Sequence, residues 1–148
     1  MEIAIRYQSH GGNTKEVAEI IAKAVGIMAE SIEKPITEPV DLLFIGGGVY
    51  KWDIDPSLKN YLENLDPKLI KSIAAFTTAG GMDKTKNIIS IAKSKGINVE
   101  KETLPVKVGL RNHASIGGKG YIKLNEKQIH SINGFVNKIM SNTTVSDI

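Results

Sequence analysis

The chain has 148 residues and no cysteine. A disulfide framework and a thiolate metal site are therefore both excluded. The same absence fits a reducing compartment, so a cytoplasmic location is the expectation. Aromatic residues are scarce, with three phenylalanines, four tyrosines and one tryptophan. No apolar run approaches the roughly 18 residues that a membrane span needs. No basic segment followed by an apolar stretch suggests a signal peptide. Charge of one sign is also lacking: lysine and arginine number 19 against 16 acids, a formal net charge of +3. The lysines are scattered along the chain, whereas a nucleic-acid surface wants clustering and interleaved aromatics. His10, His113 and His130 are far apart in sequence, and no carboxylate cluster joins them, so no metal site is expected.

What is present is the composition of a soluble globular domain, 41% hydrophobic and 24% charged. Ile3, Ala4, Ile5 and Tyr7 read as a buried strand. After the turn Ser9–Thr14, Val17, Ile20, Ile21, Ala24 and Val25 fall at helical spacing, and Gly26 suits a left-handed helix end. Ile27–Ile32 reads as a second, weaker strand. Val40–Ile45, apolar almost throughout, suits a central parallel strand, with Gly46-Gly47-Gly48 closing it. Asp55-Pro56 has the form of an N-cap followed by proline at the first helical position. Leu58, Tyr61, Leu62 and Leu65 give that helix its stripe.

Ile70–Thr77 reads as a fourth strand, ended by Ala79-Gly80-Gly81. Ile88, Ile89 and Ala92 mark a helix that Gly96 stops. Residues 97–109 read as a fifth strand, bent or interrupted at Pro105. Leu110–Gly120 is a glycine-rich loop, and Asn125 caps a last helix carrying Ile129, Ile132, Val136 and Ile139. Residues from about 142 to 148 are expected to fray. A helix that regular alternation would place between Ile32 and Val40 is missing from the pattern. No repeat or linker divides residues 1–148, so one domain is expected. The alternation argues for a parallel sheet with helices on both faces. Right-handed crossovers then gather the loops after each strand at one end, where ligands bind.

Three loops fall on that end. Ser9, His10, Gly11, Gly12, Asn13 and Thr14 combine close-approach glycines, hydroxyls and a helix N-terminus, which together hold a phosphate; a simple strand-to-helix turn capped by Asn13 or Thr14 is the alternative. The lysine of a Walker loop is absent before Thr14, and the glycine spacing of a dinucleotide fingerprint fails. A monophosphate is therefore favoured. The second loop, Gly46–Trp52, carries Tyr50 and the sole tryptophan, Trp52, either of which could cover a flat ring or pack on the neighbouring helix. The third, Thr77–Asp83, has small residues suited to meeting a heterocycle edge, and Asp83 sits near a helix N-terminus.

The first loop resembles the phosphate loop of the flavodoxin family, Thr/Ser-x-Thr-Gly-Asn-Thr. Ser9, Gly12, Asn13 and Thr14 match, His10 takes the variable place, and Gly11 replaces the middle threonine. The resemblance covers nearly the whole chain. It implies a flavodoxin-like doubly wound five-stranded parallel sheet in the order 2-1-3-4-5. It also implies FMN as cofactor, with Ser9, His10, Gly11, Gly12, Asn13 and Thr14 on its phosphate. Gly48, Val49, Tyr50 and Trp52 would lie along one ring face, and Thr78, Ala79, Gly80 and Gly81 near the other face or the pyrimidine edge. A carbonyl of Gly47 or Gly48 would meet flavin N5. No catalytic acid or base is required, and the partner would be a redox protein, either a reductase or an electron acceptor. Members of this family are strongly acidic and this chain is not, which implies a less negative potential for the reduced flavin and a partner with an acidic docking face.

Two other readings share the fold. One is an FMN-dependent oxidoreductase of the quinone reductase or protoporphyrinogen oxidase type, for which Arg111, Asn112 and His113 would be the substrate-facing candidates. The other is a partner-binding module that has lost FMN, since Gly11 removes a hydroxyl. A phosphoacceptor signalling domain would need an acidic pair after the first strand and an aspartate ending the third. Tyr7-Gln8 and Gly46-Gly47 stand there instead.

Overall fold

The computed structural model describes residues 1–108 and 124–146. In chain order the elements are β1 (Ile3–Gln8), α1 (Asn13–Val25), β2 (Glu30–Ser31), β3 (Leu42–Tyr50), β4 (Asp53–Ile54), α2 (Pro56–Glu63), β5 (Ser72–Ala79), α3 (Thr85–Ser94), β6 (Asn98–Val99), β7 (Leu104–Lys107) and α4 (Glu126–Ser146). The sheet runs β2-β1-β3-β5-β6, with β7 also on β5 and β4 on β3. Apart from the β3–β4 hairpin, every named pair is parallel. The expected order 2-1-3-4-5 is thus found, with β6 and β7 sharing the fifth place.

Alternation along the central strands splits the core in two. Ile5, Phe44, Ala74 and Phe76 face α1 and α4, where they meet Val17, Ile21, Ile132 and Phe135. Leu43, Ile45, Ile73 and Ala75 face α2 and α3, where they meet Leu58, Leu62, Ile88 and Ala92. The caps follow the sequence. Asp55 accepts from Ser57 N at 2.8 Å, with Pro56 opening α2. Asn125 and Gln128 exchange reciprocal bonds of 2.8 Å, a capping box at the start of α4. Gly26, at φ 79°, closes α1 by donating to Ala22 O. The backbone of α4 continues to Ser146, past the point at which its apolar pattern stops.

Several boundaries differ from expectation. The glycine run does not close the third strand: β3 passes through Gly46, Gly47 and Gly48, which pair with Tyr7, Gln8, Phe76, Thr77 and Thr78 on its neighbours. β5 likewise starts at Ser72 and runs on to Ala79, while Ile70 makes only an isolated bridge to Val40. The fifth place is interrupted between Val99 and Leu104 rather than at Pro105. Pro105 sits exposed inside β7, an edge strand, where a missing N–H is harmless. Leu110–Gly120, with Arg111, Asn112 and His113, lies outside the described residues.

β2 has two residues rather than six, and residues 32–41 cross to β3 without a helix. A groove of ≈ 510 Å³ lies there, lined among others by Ala4, Arg6, Met28, Ile36 and Val40. Arg6 holds the crossing segment in place. It is 7% exposed; its Nε donates to Lys34 O at 2.9 Å and its Nη2 reaches Pro35 O at 3.5 Å. Glu30 lies 3.6 Å from Nη1, and Tyr61 Oη donates to the same Lys34 carbonyl at 2.9 Å. Hydrogen bonds from a charged group are worth about 1.5–3 kcal/mol. Arg6→Ala is therefore expected to cost about 2–3 kcal/mol in urea unfolding. Faster amide exchange at residues 32–40 would accompany it, and unchanged exchange there would refute the bracing role.

Candidate functional site

β1, β3 and β5 run parallel, so the segments after them emerge at one edge. Strand order reverses between β1 and β3, which makes their exits the switch point of the sheet.

The first exit is Ser9–Gly12. Gly12 is the N-cap of α1 with φ 100°, a left-handed conformation that a side chain resists. Its carbonyl takes the first helical bond from Glu16 N at 3.0 Å, and its N–H donates to Ser9 Oγ at 3.0 Å. A glycine has no side chain with which to cap the first turn, and α1 has no side-chain cap bond. The positive end of the helix is thus presented to whatever sits above the loop. Asn13 and Thr14 are buried. Thr14 Oγ1 is 2.7 Å from Thr78 Oγ1, joining the first loop to the end of β5. One hydroxyl of such a pair donates to the other, and the acceptor keeps its own hydrogen for a ligand.

His10 points elsewhere. Its Nε2 donates to Asp55 Oδ2 at 2.7 Å, tying the first loop to the N-cap of α2. Burial pushes the Asp55 carboxyl up, but hydrogen bonds from Ser57 and His10 outweigh it and hold the group below its ordinary value. Asp53 is also held low, by hydrogen bonds from Lys59 and Asn87 acting against burial. The depressed direction fixes the sign. These carboxylates stabilise the fold above their unfolded pKa, and the contribution is lost as pH falls through the folded value. Asp55→Asn keeps the cap but loses the charge. It should melt about 2–4 °C below the parent at pH 6, with the gap closing below about pH 4 in thermal scans. A gap that widens on acidification would contradict the sign.

The second exit is the β3–β4 hairpin. Its two-residue turn, Lys51-Trp52, has φ of 49° and 73°. Positive φ at both positions is the condition of a type I′ turn, which ordinarily takes Asn-Gly. Non-glycine residues held this way carry about 1–3 kcal/mol of strain each, and such outliers gather at ligand clamps. The two aromatics behave differently. Tyr50 folds back, its ring edge-on to His10 at 4.9 Å and its hydroxyl 2.5 Å from where a Gly48 Cβ would stand. Burial raises the Tyr50 phenol against hydrogen bonds that lower it. Trp52 is 74% exposed. Gly47 and Gly48 are buried in the strand: a Cβ at Gly47 would meet Leu58 Cδ2 at 2.6 Å, and Gly48 N donates to Gln8 Oε1 at 3.3 Å. Val49 is half-buried.

The third exit follows β5. Thr78 and Ala79 are still in the strand and buried, Gly80 is half-buried, and Gly81 is exposed, with open space where its Cβ would be. Asp83 accepts from Thr85 N at 2.9 Å and from Thr85 Oγ1 at 2.6 Å, as a residue near a helix start should. Thr77 Oγ1 is buried with no hydrogen-bond partner among the described residues. Sequence reasoning read Asp55 only as a cap and did not anticipate the His10–Asp55 and Thr14–Thr78 ties. Among the described residues, no group of three side chains could hold a metal ion, and no helix is long and apolar enough to cross a membrane.

A parallel sheet with helices on both faces, whose strand order reverses at a switch point, defines the doubly wound α/β class. Within that class, the model of the family described as "Flavodoxin domain" matches residues 4–131, and the chain belongs to that family. No curated protein matches its sequence. Solved structures share the fold at low identity. A flavodoxin from the domain Archaea is 15% identical with TM-score 0.77, over 97% of this chain and 99% of that one. The two-electron reduced flavodoxin of Megasphaera elsdenii is 19% identical with TM-score 0.60, over 92% and 98%. The rubredoxin:oxygen oxidoreductase of Desulfovibrio gigas is 13% identical with TM-score 0.70, over 97% of this chain and 36% of that one.

Proposed function

We propose that this protein binds FMN and acts, as a single domain, as an electron carrier that exchanges electrons with a redox partner protein. The observation that carries the reading is the Ser9–Thr14 loop. It pairs a glycine-capped, dipole-bearing helix start with two hydroxyl residues and no arginine or lysine, which suits a monophosphate rather than a di- or triphosphate. In this reading Ser9, Gly11, Gly12, Asn13 and Thr14 hold the phosphate, while His10 is turned away to Asp55. Val49, Tyr50 and Trp52 flank one face of the ring. Thr78, Ala79, Gly80 and Gly81 approach the other face or the pyrimidine edge. Gly47 and Gly48 line the strand end between them.

FMN when bound supplies the redox chemistry, and the protein positions it and sets its surroundings. The residues present fit that task. Gly81 leaves open space, Trp52 is 74% exposed, and the Thr14–Thr78 tie holds the first loop against the end of β5.

The test is uptake. The purified protein, mixed with FMN, should quench flavin fluorescence stoichiometrically and release it on acid denaturation. A chain that takes up no FMN would sink the reading and leave a partner-binding module. Rapid NADH or NADPH consumption with a quinone, by the loaded protein alone, would replace the carrier with an FMN-dependent oxidoreductase.

A further inference from the structure

Among the described residues the large exposed apolar side chains are Met1, Met28, Tyr50, Trp52 and Met82. Three of them, Tyr50, Trp52 and Met82, stand at the loop edge of the sheet. The hairpin that carries Trp52 is tied to α3 at its base, where Asn87 Nδ2 donates to Asp53 Oδ1 at 2.6 Å. That tie brings the base of the hairpin to the first turn of α3, and Met82 stands three residues before that helix begins. Solvent-facing Trp, Tyr and Met in one place have the composition of an interface centre.

The charges around this centre are sorted. Its carboxylates are engaged by the fold: Asp53 by Lys59 and Asn87, Asp55 by His10 and Ser57, Asp83 by Thr85. Glu16, in the first turns of α1, accepts from Leu124 N at 3.2 Å. The lysines are not so engaged. Lys15, Lys51, Lys84 and Lys86 make no ion pair among the described residues, and all but the half-buried Lys84 are exposed.

Their placement is the second observation. Lys15 lies in the first turn of α1, Lys86 lies in that of α3, and Lys84 is the α3 N-cap. α3 has no acid in its first turn. A helix start favours anions, and a cation there costs about 0.3–1 kcal/mol. Lys15, Lys84 and Lys86 therefore oppose the helix starts that bear them, and no described acid pairs with them.

We propose that this edge is a docking surface for an acidic protein, with Tyr50, Trp52 and Met82 as its apolar centre and Lys15, Lys51, Lys84 and Lys86 as its cationic rim. As the place where electrons would leave a bound flavin, it rests on the reading above, and it names the partner: a redox protein with a carboxylate-rich face. A nucleic acid fits less well, because the lysines surround an apolar centre as separate single charges and form no run that would track a phosphate backbone.

The sole tryptophan of the chain, Trp52, reports on the surface directly. Flavin-loaded and flavin-free protein are titrated with an acidic plant-type ferredoxin, a basic c-type cytochrome and a single-stranded oligonucleotide, following Trp52 emission and amide shifts. The ferredoxin should bind tightest, shift amides at residues 51–52 and 82–86, and lose about tenfold in affinity between low and physiological salt. Lys84→Glu with Lys86→Glu should weaken it by a similar factor and leave FMN affinity unchanged. Tighter binding of the cytochrome or the oligonucleotide, or indifference to the double variant, would overturn the proposal. Failure to take up FMN is read separately, in the same preparation, and bears on the cofactor. The flavin-free titration still decides the charge of the partner.

Discussion

Gly46→Ala is expected to be the most destabilising single-methyl change in the sheet. Gly46 lies in β3 between β1 and β5, in register with Phe76. A Cβ there would stand 2.2 Å from the Phe76 carbonyl oxygen and 2.4 Å from its Cδ2. A side chain can swing away, but a carbonyl in a central ladder cannot move without opening the β3–β5 pairing. Overpacking ordinarily costs about 1–3 kcal/mol, and a backbone obstacle puts this site at or above the upper end. Against a total stability of about 5–15 kcal/mol that is a large share.

Gly47→Ala is the comparison. Its nearest obstacles are Leu58 Cδ2 at 2.6 Å and Gln8 Oε1 at 2.9 Å, both ends of flexible side chains. It should cost about 1 kcal/mol, at the low end of the same range. Equilibrium unfolding in urea measures both. Adding Phe76→Leu to Gly46→Ala removes the ring contact but not the carbonyl, so rescue should be partial. Full rescue would show that the ring, not the backbone, sets the cost.

That same glycine run shows where sequence reading fails. Glycine punctuates strands often enough that Gly46-Gly47-Gly48 reads as an end. Here the strand needs glycine because Phe76 and Leu58 come too close for anything larger, a fact that lies in the neighbours and not in the run. The apolar segments were legible because burial on both faces demands them, and from their alternation came the parallel sheet and the edge that gathers the loops; the strand order came only with the flavodoxin resemblance. β2 was overread because Ile27 and Ala29 are apolar for another reason: they pack on the α1–α4 core beside the strand. The Ser9–Thr14 turn was legible as a local pattern. Its ties were not: His10 and Asp55 are 45 residues apart, and Thr14 and Thr78 are 64 apart. Only the strand order brings those pairs together. Nor does any sequence rule say that Lys51 and Trp52 adopt positive φ.

Gly12→Ala should separate phosphate recognition from ring recognition. At φ 100° the glycine occupies backbone space that costs an L-residue about 1–2 kcal/mol. Relief of that strain would rotate the peptide that closes the loop, taking with it the N–H now on Ser9 and the alignment of the first helical turn. A charge-assisted bond is worth about 1.5–3 kcal/mol, and a partly buried helix terminus up to about 2 kcal/mol. Losing about 2–3 kcal/mol of that corresponds to roughly 30- to 150-fold in affinity. Riboflavin has the same ring and no phosphate, so it serves as the internal control. The parent should prefer FMN to riboflavin, and Gly12→Ala should erase most of that preference by weakening FMN alone. Equal losses for both ligands would mean that the substitution disturbs the ring site or the fold, and that the anion is not held where the helix begins. Thermal unfolding of the flavin-free variant, expected to fall by only a few degrees for about 1–2 kcal/mol, distinguishes those two causes.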